Sequence, residues 1–456
     1  MESGSLRMNK QSLSGIAGVF HAEQSERILY YMMHSLQHLG QDGCGMAIAD
    51  GSHVMVEKNH GLLAEVFKED VLSKNTGISA AGHVRMSMYL DEALENLQPI
   101  MVRAHQGHFA IVVSGSILNA RELQEEMEAD GLIFQGNSDA ELIAHLIQFN
   151  HGHLFEKILS ATKRLVGSYT FLLMTKNTMY AYRSSDGIHP LFLASYKGGY
   201  LLASETSAFS MFDVEEFRSL EAGELIRFGK EDVRSFFLND RAQEHLCAME
   251  FVYYARMDSL FENVSVHTVR KKTGAMLARQ ERVDADLVVA APDTATSAAM
   301  AFASVLKKPY EIGLVKNRYI GSTYIYPSSV QRMQGIKTRF NAVSSIVKGK
   351  RVYLVDDSLI KGFTAKRLCQ LLKEAGAKEV HLRIASPRIV SECWYGFEEA
   401  DHDELAANVY SDDELAKWLN VDSVRFLELE EFDACLPMDC CQACMRKERE
   451  HCGRKI

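Results

Sequence analysis

Proline is scarce, at 7 in 456 residues, and the chain lacks both a long apolar run and an excess of positive charge. With only 30 glycines as well, collagen-like repeats and proline-rich disorder are excluded. The longest uncharged stretches, such as 104–120 and 28–41, fall short of the roughly 18–20 apolar residues of a membrane helix and contain polar groups. No membrane span is expected. Lys and Arg number 50 against 60 Asp and Glu, a net charge of −10, which argues against a nucleic acid held through its phosphates. The first thirteen residues, MESGSLRMNKQSL, have no apolar core, so no secretory signal is read there and a cytoplasmic protein is expected. Residues 1–13 read as a tail or a propeptide-like segment. What is present is a packable chain, 47% hydrophobic and 24% charged, long enough for two or three domains. Its nine cysteines are an odd number, and seven lie after residue 350. Without a secretory context that pattern suggests metal or catalysis before disulfides.

Two kinds of sequence grammar divide the chain near residues 235–247. From Ser14 to about residue 240, strand-length apolar stretches alternate with Gly, Asn, Asp and Ser clusters: Gly15–Phe20, Cys44–Ala49, Phe109–Leu118, Tyr169–Met174 and Tyr200–Ser204. The spacing predicts helices over Ser25–Leu39, opened by a serine cap, and over Asp139–Gln148. Antiparallel strands with outer helices give an α+β layered domain. Beyond residue 241 the strands become wholly apolar and alternate with helices. Strands are expected at Leu287–Ala291, Glu311–Val315, Arg351–Val355 and Glu379–Ala385, and helices at Ser297–Lys307 and Thr364–Ala375. That order implies an α/β domain with a parallel sheet.

The most informative segment is VYLVDDSLIKGFTAK, residues 352–366. Asp356 and Asp357 stand at the carboxyl end of a buried strand, where parallel sheets bind ligands. Ser358, Gly362 and Thr364 lead into a helix amino terminus, whose exposed N–H groups suit a phosphate. The segment resembles the phosphoribosylpyrophosphate (PRPP) loop of type I phosphoribosyltransferases. The likeness extends through AMEFVYYARMDS (248–259), APDTATSAA (291–299), EIGLVKNRYIG (311–321) and KEVHLRIASP (378–387). The first half adds SLQHLGQDGCGM (35–46), GHVRMS (82–87), NSDAELIAHLI (137–147) and YLLASETSAF (200–209). From Ser14 onward the chain is similar to the glutamine PRPP amidotransferases. The resemblance implies an N-terminal-nucleophile glutaminase, an αββα sandwich over 14–240, followed by a phosphoribosyltransferase over 241–456.

In that family an amino-terminal cysteine attacks glutamine, its own α-amine is the base, and an Asn–Gly pair forms the oxyanion hole. Here the nucleophile position is Ser14, and the oxyanion pair becomes Ser114 and Gly115, followed by Ser116. Leu39 stands where the family has Arg. Arg85 and Asp139 match the groups that hold the glutamine carboxylate and amine. A hydroxyl is a weaker nucleophile than a thiol, and loss of an oxyanion donor costs ~10²–10³ in rate. A degenerate glutaminase is the expectation.

The transferase half keeps more. Asp356, Asp357, Ser358, Gly362 and Thr364 match the family's loop, Lys361 replaces an Arg, and Phe363 replaces a Thr. Lys316 and Arg318 match a PRPP-binding segment, whereas Ser322 and Ser344 stand where arginines are usual. Thr294, Asp356 and Asp357 are the implied Mg2+ site. The resemblance makes Cys247, Cys393, Cys441 and Cys444 the ligands of a [4Fe–4S] cluster, with zinc as the alternative occupant. It also implies a homotetramer inhibited by purine nucleotides. Three functional readings stay open. The chain forms 5-phosphoribosylamine from PRPP with ammonia or another amine, or it is a binding-only regulatory paralogue acting beside an active one. The third is an ordinary glutamine-dependent enzyme in which Ser14 was introduced.

Overall fold

The computed structural model describes residues 11–87, 93–104, 107–238, 245–317, 339–393, 395 and 402–446. The chain divides after Leu246 into two compact units, with Tyr395 grouped with the first. Among the described residues no helix is long and apolar enough to cross a membrane.

In the first unit two antiparallel sheets stack face to face. One runs in the order β11 (Phe217–Ser219), β9 (Phe192–Tyr196), β10 (Gly199–Ala203), β1 (Gln11–Phe20), β4 (Ser79–Ser87), β2 (Gly43–Ala49) and β3 (Val54–His60). The other runs β13 (Val233–Phe237), β12 (Glu224–Phe228), β8 (Met179–Arg183), β7 (Gly167–Met174), β6 (Gly107–Ile117) and β5 (Ile100–Ala104). Alternation puts Ile16, Ala47, Ala81, Val112 and Leu172 in the dry layer between them. Helix α1 (Ser25–Ser35) covers the first sheet, and Gly82 permits the approach, since a Cβ there would stand 2.2 Å from Met33 Sδ. Helices α2 (Ala120–Ala129), α3 (Asp139–Phe149) and α4 (Leu154–Arg164) cover the second, packing Leu123, Leu142, Leu146 and Ile158 on Ile111, Val113 and Phe171. This is the expected four-layer order. One detail differs: Ser25 does not cap α1, whose N-cap is Gln24 in a left-handed conformation at φ 57° with no side-chain cap bond.

The second unit is built on four parallel strands in the order β17 (Leu287–Ala290), β20 (Arg351–Asp356), β21 (Glu379–Ile384) and β22 (Ser423–Phe426). Val352, Leu354, Val380 and Leu382 are fully buried, each worth about 1.5–3 kcal/mol relative to exposure. Smaller ladders are the pairs β14 (Leu246–Cys247) with β23 (Cys440–Cys441) and β15 (Leu260–Phe261) with β16 (Val264–Ser265). The apolar segment 311–315 touches the parallel sheet at its start, where Tyr310 forms a parallel bridge with Val288 and Glu311 N donates to Val288 O at 2.9 Å. Only Leu314–Lys316 form a strand, β18, paired antiparallel with β19 (Phe340–Ala342). Helices α5 (Val266–Arg279) and α6 (Thr296–Leu306) cross at Gly274, where a Cβ would lie 2.0 Å from Ala298 O. Helix α7 (Phe363–Glu374) joins β20 to β21.

Candidate active sites

In the first unit the register of β1 against β4 sets Ser14 opposite Arg85. Ser114 comes from the facing sheet. Ser14 Oγ donates to Ser114 Oγ at 3.1 Å, and Ser114 Oγ donates to the Ser14 carbonyl at 2.9 Å. Each hydroxyl has one proton, so this reciprocal pair uses both. Strand β1 begins at Gln11, ahead of Ser14, and Leu13 pairs with Met86. Gly115, at φ 122°, has room for no side chain, since a Cβ would stand 2.2 Å from Ser168 O. Leu39 is buried, with Cδ1 3.1 Å from where a Gly15 Cβ would be.

Asp139 begins α3, behind the Ser138 cap. Its Oδ2 accepts the Ile117 amide at 3.0 Å, yet burial pushes its carboxyl up to about 7. Arg85 is buried on β4. Two places along, His83 is held neutral by burial, its affinity for a proton lowered to about 3, and among the described residues neither ring nitrogen has a hydrogen-bond partner. The sequence supplied no reason to single it out.

In the second unit Asp356 and Asp357 are buried at the carboxyl end of β20. Asp357 N donates to Asp356 Oδ1 at 2.9 Å, Ser358 Oγ donates to Asp357 Oδ1 at 2.6 Å, and Thr294 Oγ1 donates to Asp357 Oδ2. Burial, then the neighbouring Asp357 charge, hold the Asp356 carboxyl well above its ordinary range. Burial also raises Asp357, against the bonds from Ser358 and Thr294 and the charge of Arg270. Arg270, missed in the sequence, lies on α5 with Nε on Phe251 O and Nη2 on Ala255 O, both at 2.8 Å. It helps line a small cavity that reaches Thr294 and Asp357. Two buried carboxylates and a hydroxyl form an all-oxygen set that fits a hard divalent cation.

Gly362, left-handed at φ 78°, opens α7, with Thr364 in its first turn. The expected cations are held elsewhere: Lys361 Nζ donates to Glu404 Oε2 at 2.6 Å and Lys316 Nζ to Asp293 Oδ2 at 2.9 Å. Arg318 and Ser322 lie outside the described residues. Ser344 is exposed, at the start of a single helical turn, Ser344–Val347.

Cys247 and Cys441 lie on the paired strands β14 and β23, and Cys444 follows on a short turn. Burial raises the Cys247 thiol well above its ordinary range, and Cys441, Cys393 and Cys444 raise it further, which groups all four. Neighbouring Cys440 is pushed up to about 12 by burial. Among the described residues no three His, Cys, Asp or Glu side chains are arranged to hold a single metal ion. An iron–sulfur cube takes one thiolate at each iron, a wider set than a single ion requires.

Residues 83–211 match the model of the glutamine amidotransferase domain, and residues 270–386 that of the phosphoribosyl transferase domain. The amidophosphoribosyltransferase of Bacillus subtilis (strain 168) is 39% identical over 91% of this chain and 88% of its own length. That of Methanocaldococcus jannaschii is 36% identical over 95% of this chain and 96% of its own. The chain belongs to the amidophosphoribosyltransferase family. A solved structure of the B. subtilis glutamine PRPP amidotransferase, complexed with ADP and GMP, superposes with a TM-score of 0.89 at 37% identity. It covers 95% of this chain and 96% of its own.

The raised Asp139 carboxyl has a measurable consequence. The folded state binds its proton more tightly than the unfolded chain, so stability falls as pH rises from about 4 through about 7. Asp139→Asn keeps an acceptor for Ile117 N and removes that fall. The variant should melt progressively higher than the parent between pH 5 and pH 8, by up to about 4 kcal/mol in stability. Parallel melting curves across that range would contradict the assignment.

Proposed function

We propose that this amidophosphoribosyltransferase converts PRPP to 5-phosphoribosylamine for purine synthesis, in the cytoplasm, with nitrogen taken from ammonia because its own glutaminase is impaired. The carrying observation is the Ser14–Ser114 pair. Ser114 donates its one proton to the Ser14 carbonyl, which leaves none for an oxyanion. Loss of an oxyanion donor alone costs ~10²–10³ in rate. Arg85 and Asp139 are read as groups that still hold the ends of an amino acid.

In the transferase domain Asp356, Asp357 and Thr294 would hold Mg2+, which when bound offsets charge on the departing pyrophosphate. The N–H groups at the start of α7, with Ser358 and Thr364, cradle phosphate. Lys316 and Arg318 are assigned to PRPP from the family pattern. The bond from ribose C1 to pyrophosphate breaks with its electron pair leaving on pyrophosphate, the C1–N bond forms, and the resulting ammonium nitrogen passes a proton to the departing pyrophosphate or to solvent. Excluding water favours nitrogen as the nucleophile. Purine nucleotides are proposed as inhibitors, in keeping with the ADP and GMP of the B. subtilis complex. A homotetramer is proposed from the family.

Cys247, Cys393, Cys441 and Cys444 are proposed to carry a [4Fe–4S] cluster, which would tie the carboxy-terminal tail to the transferase domain. Protein purified without air should be brown with a broad visible charge-transfer absorption, lost on Cys441→Ser. A colourless chain containing zinc would overturn the cluster. Pyrophosphate release from PRPP with Mg2+ tests the reaction: it should occur with ammonia and stay at background with glutamine alone. Glutamine-driven release equal to the ammonia rate would defeat the impaired-glutaminase reading. Failure with both would favour a binding-only paralogue.

A further inference from the structure

The chain between β21 and β22 lies along the outside of the phosphate loop, and it makes three kinds of contact there. Ala406 N donates to Ile360 O at 2.9 Å. Gly362 is pressed against the ring of Trp418, so that a Cβ would stand 2.8 Å from Trp418 Cζ3 and 3.4 Å from Ala406 Cβ. Lys361 is ion-paired to Glu404 at 2.6 Å. Trp418 is itself fixed, with Tyr410 stacked on it at 5.5 Å and the Lys366 ammonium 4.2 Å from its centroid. Arg388 anchors the segment by donating to Ala407 O at 2.7 Å and by pairing with Asp412.

The backbone hydrogen bond and the tryptophan contact hold the loop in place without the ion pair. Lys361 and Glu404 are 26% and 49% exposed, and such pairs contribute only about 0–1 kcal/mol to stability. Their effect is electrostatic. Lys361 is the one cationic side chain in the run 356–364, and the carboxylate that holds it adjoins a loop shaped for an anion. We infer that Glu404 is a positioning residue that sets the loop's affinity for phosphate, by holding Lys361 in an ion pair with which a bound phosphate must compete. The inference rests on the reading that residues 356–364 hold PRPP.

Calorimetric titration of the full chain with PRPP and Mg2+ tests it, using the parent, Glu404→Gln, Lys361→Gln and the double variant. Glu404→Gln should tighten Kd about two- to five-fold, the loss of one exposed competing pair. On the Lys361→Gln background the same change should give no gain. Structural damage weakens binding, so tightening is not a symptom of a misfolded loop. An unchanged or weaker Kd in Glu404→Gln, or an equal gain without Lys361, would overturn the inference and leave the PRPP assignment standing. A parent chain that binds no PRPP would instead remove the assignment, and the inference with it.

Discussion

Two carboxylates side by side at a buried strand end cannot both ionise without a compensating positive charge, and the second unit is organised around that constraint. Asp356 and Asp357 are raised by burial, and Asp356 also by its neighbour. Thr294 and Ser358 point hydroxyls at Asp357, and Arg270 adds a charge from α5. A site with this imbalance is strained without a cation and suited to one. The parallel strand that brings the pair to its carboxyl end, and the left-handed Gly362 that turns the chain into α7, place the carboxylates beside the helix start proposed to cradle phosphate.

The first unit shows the opposite economy of protons. Its two serines satisfy each other across the facing sheets, so the hydroxyls of Ser14 and Ser114 are both engaged. Leu39 is packed against Gly15. A buried polar pair that is fully bonded stabilises a sheet interface, and on the proposed reading the same bonding withholds the donors that glutamine hydrolysis needs.

Much of this was legible in the chain itself. The runs around Val352 and Val380 read as parallel strands because a strand buried on both faces has no polar alternation, and DDS followed by a glycine and a helix marked the loop. What escaped was long-range. The partner of Lys361 is Glu404, 43 positions along, and the partner of Ser14 is Ser114, 100 positions along. Arg270 sits on an ordinary amphipathic helix. Segment 311–315 meets the parallel sheet through the Tyr310–Val288 bridge and then pairs Leu314–Lys316 antiparallel with Phe340–Ala342, because apolarity does not say which neighbour a strand pairs with. The serine cap expected for α1 failed because Gln24 takes the cap position.

The central claim is that nitrogen reaches ribose from solution and not through Ser14. The most direct measurement supplies PRPP, Mg2+, amide-15N glutamine and unlabelled ammonium together, and weighs the trapped phosphoribosylamine. The account predicts an unlabelled product. A product carrying 15N while the free ammonium pool stays unlabelled would contradict it.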